Sequence, residues 1–355
     1  MTVTWQNSAL MRTVRLKTVD AYLAIDFECP TSAGGTRLAA DVTARETRLL
    51  ARAMTYKFAV LGLPIGGAKA AIRAAPGQRS EAIRRYCDEI RPLVSERRFL
   101  TSTDLGTMPA DFESLPGNEQ GDLMHTDQDG MPLDAYITGL GVAVAAETAL
   151  GGLRDRTFAI EGFGKVGGAT ALAVARRGGR VVAVSTVHGC VRREHGFDVA
   201  ELLRLRAEHG DRLVEKAGVP LRPASELFAV EADVLVPGAR VGVIDARRAA
   251  ALRVRVVAPA ANVPYTRAGL AALRRRGVIA LADFVCNSGA TIGYTAPGLT
   301  TPAEAAHEVE QRVRALTSES LRHPDGPFAG AREIAERFLR TWVPEDRRPE
   351  SPALA

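Results

Sequence analysis

Lysine is nearly absent from this chain. Only Lys17, Lys57, Lys69, Lys165 and Lys216 occur among 46 basic residues, the rest being arginine. Where positive charge alone suffices, this sequence uses arginine, so a retained lysine calls for a reason. A desolvated lysine can lose its proton and an arginine cannot, which hints at acid–base chemistry. Cysteine is scarce too. Cys29, Cys87, Cys190 and Cys286 are scattered and form no C-x-x-C pair, so no disulfide or zinc framework is expected and a reduced, cytoplasmic setting is. Aromatic residues make up 5% and no basic run carries interleaved stacking residues. The net charge of +5 therefore bears on solubility and not on nucleic acid, which is not expected as a partner. The six histidines (His125, His188, His195, His209, His307 and His323) lack metal-ligand spacing, so no metal site is expected. No run approaches the ~20 apolar residues that a membrane span needs. The first residues have neither the basic nor the apolar region of a secretory signal, so no membrane partner is expected.

What is present suits a globular protein: 355 residues, 46% hydrophobic and 25% charged, enough for two domains with a core each. Residues 12–29 alternate as strands do, and Gly34-Gly35 reads as a turn. Apolar spacing predicts a helix over 43–56 capped by Thr43, a second over 80–94 capped by Ser80, and a short strand at 98–103. Residues 116–133, rich in Gly, Asp and Pro, read as a loop between domains. From about Thr138 helices and strands alternate: strands near 157–160, 180–184, 234–236, 254–257 and 278–281, with helices through Arg177 and over 265–275, 302–320 and 328–342. Alternation of this kind predicts a doubly wound parallel sheet. The expected fold is α/β with two domains. Residues 1–135 are expected to form one α/β domain and 136–290 the doubly wound one, with further helices over 291–342 and a disordered tail over 343–355.

The segment Gly162-Phe163-Gly164-Lys165-Val166-Gly167 has the context that gives a G-x-G-x-x-G motif weight: an apolar strand before, a helix after, and a second strand about twenty residues on. Gly162 permits the turn, Gly164 lets backbone approach a pyrophosphate, and Gly167 lets the helix pack on the sheet, with the helix N-terminus facing the negative charge. A glycine turn in some other α/β fold is the plain alternative. An NAD site usually carries an acid at the end of the second strand. This chain has Ser185 and Thr186 there, with His188, Arg192 and Arg193 beyond, so the cofactor expected is NAD(P), leaning to NADP.

Lys57 and Lys69 stand twelve residues apart in Met54-Thr-Tyr-Lys57 and Leu63-Pro-Ile-Gly-Gly-Ala-Lys69. With Gly34-Gly-Thr-Arg37, Thr103-Asp-Leu-Gly-Thr107, Thr138-Gly-Leu-Gly-Val142, the glycine loop, Ala260-Ala-Asn-Val-Pro-Tyr-Thr266 and Asp283-Phe-Val-Cys-Asn-Ser-Gly289, they make eight ordered segments over roughly 12–320. In these the chain resembles the glutamate/leucine/phenylalanine/valine dehydrogenases, closest to the leucine/phenylalanine type. The resemblance implies reversible oxidative deamination of an L-amino acid to its 2-oxo acid and ammonia, in a homo-oligomer whose two domains close over the substrate. It makes 1–135 an α/β substrate and oligomerisation domain and 136–290 a Rossmann-type nucleotide domain, with the helices over 291–342 returning toward the first. It implies that Lys57 holds the substrate α-carboxylate. By the same resemblance Lys69, in its Gly-Gly-Ala-Lys turn, would be the catalytic lysine, its pKa lowered by burial and a second cation. Asp104 would then be the aspartate that shuttles the proton to and from the amino group, the two pKa values being shifted in opposite directions. The resemblance also implies that Gly34, Gly35, Thr138, Asn262, Asn287, Thr291 and Tyr294 line the substrate site and that Asn262 lies by the nicotinamide as well. Taken alone, Asp104 reads as a turn or cap aspartate.

One departure bears on the substrate. Glutamate-specific relatives carry a lysine just before the Gly-Gly pair. Here that residue is Ala33, so glutamate is disfavoured, because its side-chain carboxylate would be buried without a partner. Ser102, Thr291 and Tyr294 make the pocket less aliphatic than in the leucine type. Pro259, Thr186 and the loop 116–133 also depart from the pattern. Two rival expectations remain: a different dehydrogenase on a related two-domain frame, and a non-catalytic, nucleotide-binding relative.

Overall fold

The computed structural model describes residues 6–7, 11–116 and 122–349. Its contacts divide the chain into two compact units, 1–120 with 334–352, and 121–333 with 353–355. The first division thus falls at 120/121, not the expected 135/136, and the first unit takes back a C-terminal segment. Of the expected tail, residues 343–349 are structured: Val343 is buried and Glu345–Arg347 form a 3₁₀ turn. Trp342 packs on Phe27 at 5.6 Å between ring centroids, which explains why this proline- and charge-rich stretch stays in place. Residues 350–355 lie outside the described residues.

The first unit is built on strands β1 (Gln6–Asn7), β2 (Arg12–Arg15), β3 (Ala21–Ile25), β4 (Ser32–Leu38), β5 (Gly66–Ile72) and β6 (Phe99–Thr103), with helices α1 (Ala44–Val60) and α2 (Arg79–Ser95). The sheet order is β1-β2-β3-β5-β4-β6. β5 runs antiparallel to β3 and parallel to β4, and β4 runs parallel to β6. Thr43 caps α1 as expected, its hydroxyl accepting from the Glu46 amide. α2 begins one residue earlier than expected and Ser80 lies inside it, so Ser80 is not its cap. Side chains alternate along β5. Ala68, Ala70 and Ile72 join Leu23, Tyr86, Ile90 and Phe99 in the core under α2, while Gly67 faces α1. Lys69 shares the Gly67 face.

The second unit holds α3 (Asp122–His125), β7 (Asp127–Gln128), β8 (Met131–Pro132), α4 (Leu133–Leu150), β9 (Thr157–Glu161), α5 (Lys165–Arg176), β10 (Arg180–Thr186), β11 (Gly189–Arg192), α6 (Val199–His209) and α7 (Leu213–Lys216). It continues through β12 (Val234–Pro237), α8 (Ala246–Ala251), β13 (Val256–Val257), α9 (Arg267–Arg275), β14 (Ile279–Ala280), α10 (Asp283–Cys286), α11 (Gly289–Thr295) and α12 (Pro302–Ser320). Helix α13 (Pro327–Leu339) spans the division between units. The sheet order is β11-β10-β9-β12-β13-β14, parallel throughout except for β11, so the doubly wound expectation holds. α4 is apolar enough over its 18 residues to pass, by length and composition, as a membrane span. Its buried residues pack instead on α5, α10, α11 and α12 at the centre of this unit. Part of the expected loop is ordered as α3, β7 and β8. Residues 117–121 of that loop lie outside the described residues.

Candidate active site

Strand order brings Lys69 and Asp104 together. β4 lies between β5 and β6, so Lys69 on β5 and Asp104, one residue past β6, reach across the same strand. Lys69 Nζ is ion-paired with Asp104 Oδ2. The Lys69 side chain is almost wholly buried, at 4% exposed, and that of Asp104 is 20% exposed. A second cation shares the same oxygen: Arg37 on β4 donates from Nε to Asp104 Oδ2 at 3.0 Å and from Nη1 to Glu46 Oε1 at 2.6 Å. The other carboxylate oxygen, Oδ1, accepts from the Leu105 amide at 2.7 Å.

The charges follow from this geometry. Burial pushes the Lys69 pKa down; the Asp104 carboxylate opposes that, and the Arg37 guanidinium adds to the lowering. Burial alone would raise Asp104, but the Lys69 and Arg37 charges outweigh it and hold the carboxyl below its ordinary range. Both groups therefore shift downward, whereas opposite shifts were expected. The reason is that a cation beside a carboxyl favours its charged form, and Asp104 has two, Lys69 first and Arg37 second. Arg37, the second cation, was not singled out from the sequence. Its signal was there in the Gly34-Gly-Thr-Arg37 segment: an arginine cannot surrender its charge beside a lysine that must.

The glycine pairs are not turns. Gly34-Gly35 and Gly66-Gly67 lie within β4 and β5, so Lys69 sits in mid-strand. Glycine is needed there for close approach. A Cβ on Gly35 would come 2.8 Å from the Thr103 carbonyl oxygen, and one on Gly67 would come 2.0 Å from that of Ala51 in α1. Ala33 is half-buried on β4, in register with Gly67 and Leu100. Lys57 is buried in the last turn of α1, where the helix dipole favours a cation. Thr55 on the same helix bonds Asp26 and the Gly67 amide, which fixes α1 against β5.

In the second unit the glycine loop joins β9 to α5. Gly162 takes φ +81°, open to glycine, and its amide donates to the Ser185 carbonyl. A Cβ on Gly167 would lie 2.0 Å from the Gly162 oxygen, whereas one on Gly164 would meet nothing within 4 Å. Gly164 is thus not required for packing, and it leaves open space at the N-terminus of a twelve-residue helix, as a bound pyrophosphate would need. Lys165 is exposed beside it and Val166 half-buried. Phe163, expected at the cofactor, is 1% exposed; its ring is core and only its backbone is available. The loop sits at the β9/β12 boundary, where the strand order reverses and such sheets bind ligands.

Arg192 and Arg193 are not where the 2′-phosphate expectation needs them. β10 and β11 form an antiparallel hairpin, with Thr186 opposite Gly189 and Ala183 opposite Arg192. The hairpin carries both arginines back toward the start of β10. Arg192 there lines a cavity together with Thr157, the first residue of β9, and Arg193 lies over the Phe197 ring. His188 stays at the tip, 3.8 Å from Glu215. Ser185 and Thr186 are buried, and the Thr186 hydroxyl donates to the Asp211 carbonyl at 2.7 Å.

Asn262 and Asn287 do meet. Asn287 Nδ2 donates to Asn262 Oδ1 at 3.0 Å and to the Ala260 carbonyl at 3.1 Å, beyond the ends of β12 and β13. The next residue, Val263, has φ +51°, a strained value for a β-branched side chain, and its amide donates to buried Asp283. The Thr138 hydroxyl donates to the Asp134 carbonyl and accepts from the Ala290 amide, so it bolts α4 to α11. Thr291 and Tyr294 lie half-buried on α11. Tyr294 Oη is 3.3 Å from His125 Nε2. Burial, with the Asp134 charge beside it, raises the phenol pKa. Sequence reasoning also missed Glu161. It ends β9 buried, holding Arg240 at 3.0 Å, and its only signal was a carboxylate placed directly before the glycine loop.

Comparison with known proteins fits both units. Residues 130–297 match the family model described as Glutamate/Leucine/Phenylalanine/Valine dehydrogenase. Residues 3–118 match the Glu/Leu/Phe/Val dehydrogenase dimerisation domain. The chain is 33% identical over 282 residues to the glutamate dehydrogenase of Thermotoga maritima, covering 74% of this chain and 68% of that one. It is 29% identical to the NADP(+)-dependent glutamate dehydrogenase of Pyrobaculum calidifontis, over 73% of this chain and 67% of that one. Among solved structures, the hetero-hexameric glutamate dehydrogenase of Thermus thermophilus in its leucine-bound form superposes with a TM-score of 0.75. The two are 26% identical, with 94% of this chain and 90% of that chain covered.

Proposed function

Because this chain belongs to the glutamate/leucine/phenylalanine/valine dehydrogenase family and is an NAD(P)-dependent amino-acid dehydrogenase, we propose that it interconverts an L-amino acid other than glutamate with its 2-oxo acid and ammonia, using NADP in preference to NAD. The observation that carries the chemical assignment is the buried Lys69–Asp104 pair with its second cation.

Oxidation of the amino acid gives an imine that water must attack, and the resulting carbinolamine must lose ammonia. A lysine that sheds its proton readily can activate that water and steady the carbinolamine oxygen. Asp104 then carries the proton to and from the nitrogen, becoming competent once Lys69 turns from it to the substrate. Lys57, buried in the last turn of α1, serves as the cation for the α-carboxylate. A dinucleotide bound at the glycine loop supplies the hydride acceptor. The open space at Gly164 and the α5 N-terminus would hold its pyrophosphate, and Asn262 with Asn287 would border its nicotinamide.

Two finer choices rest on single features. Ala33 supplies no cation for a second carboxylate, which weighs against glutamate. Glutamate is nevertheless the second reading, since the curated relatives described above carry that name. No carboxylate ends β10, and His188 lies at the hairpin tip, which supports NADP even without Arg192 and Arg193. Assembly as a homo-oligomer through the first unit is supported by its match to a dimerisation domain. A cytoplasmic setting fits four free cysteines, three of them buried.

The test is a spectrophotometric screen of amino acids with NAD⁺ and NADP⁺ at alkaline pH, and of 2-oxo acids with ammonia in reverse. Turnover of a non-glutamate amino acid with NADP⁺ is expected. Silence across the whole panel would leave a non-catalytic relative as the better account.

A further inference from the structure

We propose that Arg37, braced by Glu46, is a positioning residue for the catalytic pair: it holds Asp104 Oδ2 in common with Lys69, so that Lys69 is never locked as the sole cation of that carboxylate. This rests on the assignment of Lys69 and Asp104 to the reaction.

The geometry is specific. The guanidinium bridges two acids with different nitrogens, Nε to Asp104 and Nη1 to Glu46, and its side chain is 16% exposed. Glu46 lies in the first turn of α1 and Arg37 on β4, so a helix and a strand both fix the fork. The Leu105 amide holds the second oxygen of Asp104, which leaves the carboxylate little freedom to rotate. A buried lysine facing one carboxylate alone would form a closed ion pair and keep its proton. A permanent cation on the same oxygen weakens that grip, and like-charge repulsion makes the proton easier to lose. Of the other charges on elements packed against β5, Asp26, just past β3, is paired with Arg52 of α1 at 2.6 Å, and Lys57, buried in the last turn of α1, is a further cation on the helix that faces Lys69; the charged residues Glu81, Arg84 and Asp88 of α2 are exposed, with α2 on the opposite face of the sheet.

Five lysines make a direct measurement practical. The full chain, labelled with carbon-13 at lysine Cε, is titrated by NMR, with Lys69→Gln identifying the Lys69 signal. In Arg37→Gln the Lys69 titration moves up by about one unit, the lower end of what a nearby charge supplies, and the acid limb of kcat/KM moves with it. Arg37→Lys retains the charge and returns the titration most of the way to the parent value, while kcat falls below the parent's because the fork is lost. Glu46→Gln moves the titration the opposite way, since the Glu46 charge that opposes the lowering of Lys69 is gone and Arg37 is less compensated. Shifts of the same sign in Arg37→Gln and Glu46→Gln, or none in either, would overturn the proposal. If Arg37→Gln does not fold, Arg37→Lys decides instead: a Lys69 titration near the parent's with a lowered kcat supports the proposal, and a parental kcat overturns it. Full turnover in Lys69→Gln would instead strike the catalytic assignment itself.

Discussion

A Cβ placed on Gly34 would come 1.8 Å from the carbonyl oxygen of Ala68, the residue before Lys69. β4 and β5 are parallel neighbours here, and no side chain fits between the two backbones. Gly34→Ala must push β5 away, because the obstructing atom is main chain and cannot swing aside. The expected cost is about 1–3 kcal/mol, as for overpacking elsewhere. It reads as a lower Tm together with a loss of kcat, since Lys69 and Asp104 approach each other across β4. An unchanged Tm would mean that the glycine serves the substrate alone.

Lys69→Arg separates charge from proton transfer. The cation is kept, but a guanidinium does not deprotonate. Turnover should fall by about a hundredfold to ten-thousandfold, the usual share of general acid–base catalysis, at every pH tested. Lys57→Ala should act mainly on KM for the amino acid, leaving kcat closer to the parent. The result that would reverse these roles is a large kcat loss in Lys57→Ala with near-parental kcat in Lys69→Arg.

How much of this was legible in the sequence depends on which physical signal each residue carries. The parallel sheet announced itself through alternating elements and the glycine loop, because backbone turn chemistry is local. Gly34-Gly35 and the Gly66-Gly67 pair misled, since glycine marks a turn and a close crossing of backbones alike. Only strand pairing tells the two apart. Arg192 and Arg193 follow Thr186 closely in sequence, yet an antiparallel hairpin returns them down the strand. Arg37 and Glu161 act through partners 67 and 79 residues away, Asp104 and Arg240, a relation that local pattern does not encode.

Asp104 also ties stability to pH. Its folded pKa lies below the unfolded value of about 3.9, so its contribution is complete above that pH and is lost as pH falls toward the folded value. Asp104→Asn should therefore differ most from the parent at neutral pH, and the two Tm curves should converge on acidification below about pH 4. Parallel curves down to acid pH would show that the carboxylate gains nothing from Lys69 and Arg37 in the folded state.

The cofactor prediction rests on the hairpin tip. Thr186 is buried and bonded to Asp211, and Val187 stands 82% exposed beside His188. With no acid at the end of β10 itself, the usual place for one that takes a ribose 2′-hydroxyl, kcat/KM for NADP⁺ should exceed that for NAD⁺. Val187→Asp should lower the NADP⁺ value by charge repulsion and spare NAD⁺. A parent enzyme that strongly favours NAD⁺ would remove the basis for this preference.

Ala33 offers the sharpest test of substrate class. It precedes the glycine pair on β4, half-buried, in register with Gly67 and Leu100, and it presents no charge. A glutamate side chain entering beside it would bring a carboxylate out of water with no cation from residue 33 to receive it. Leaving a charged group in that state costs several kcal/mol. Ala33→Lys supplies the missing donor. A hydrogen bond to a charged group contributes about 1.5–3 kcal/mol, so kcat/KM for glutamate should rise roughly tenfold to a hundredfold. Activity on the parent's preferred amino acid should fall at the same time, because an apolar or mildly polar side chain would have to share its space with an unpaired ammonium. If the parent already prefers glutamate, then some other cation receives that carboxylate, and the identity of residue 33 does not decide the substrate in this branch of the family.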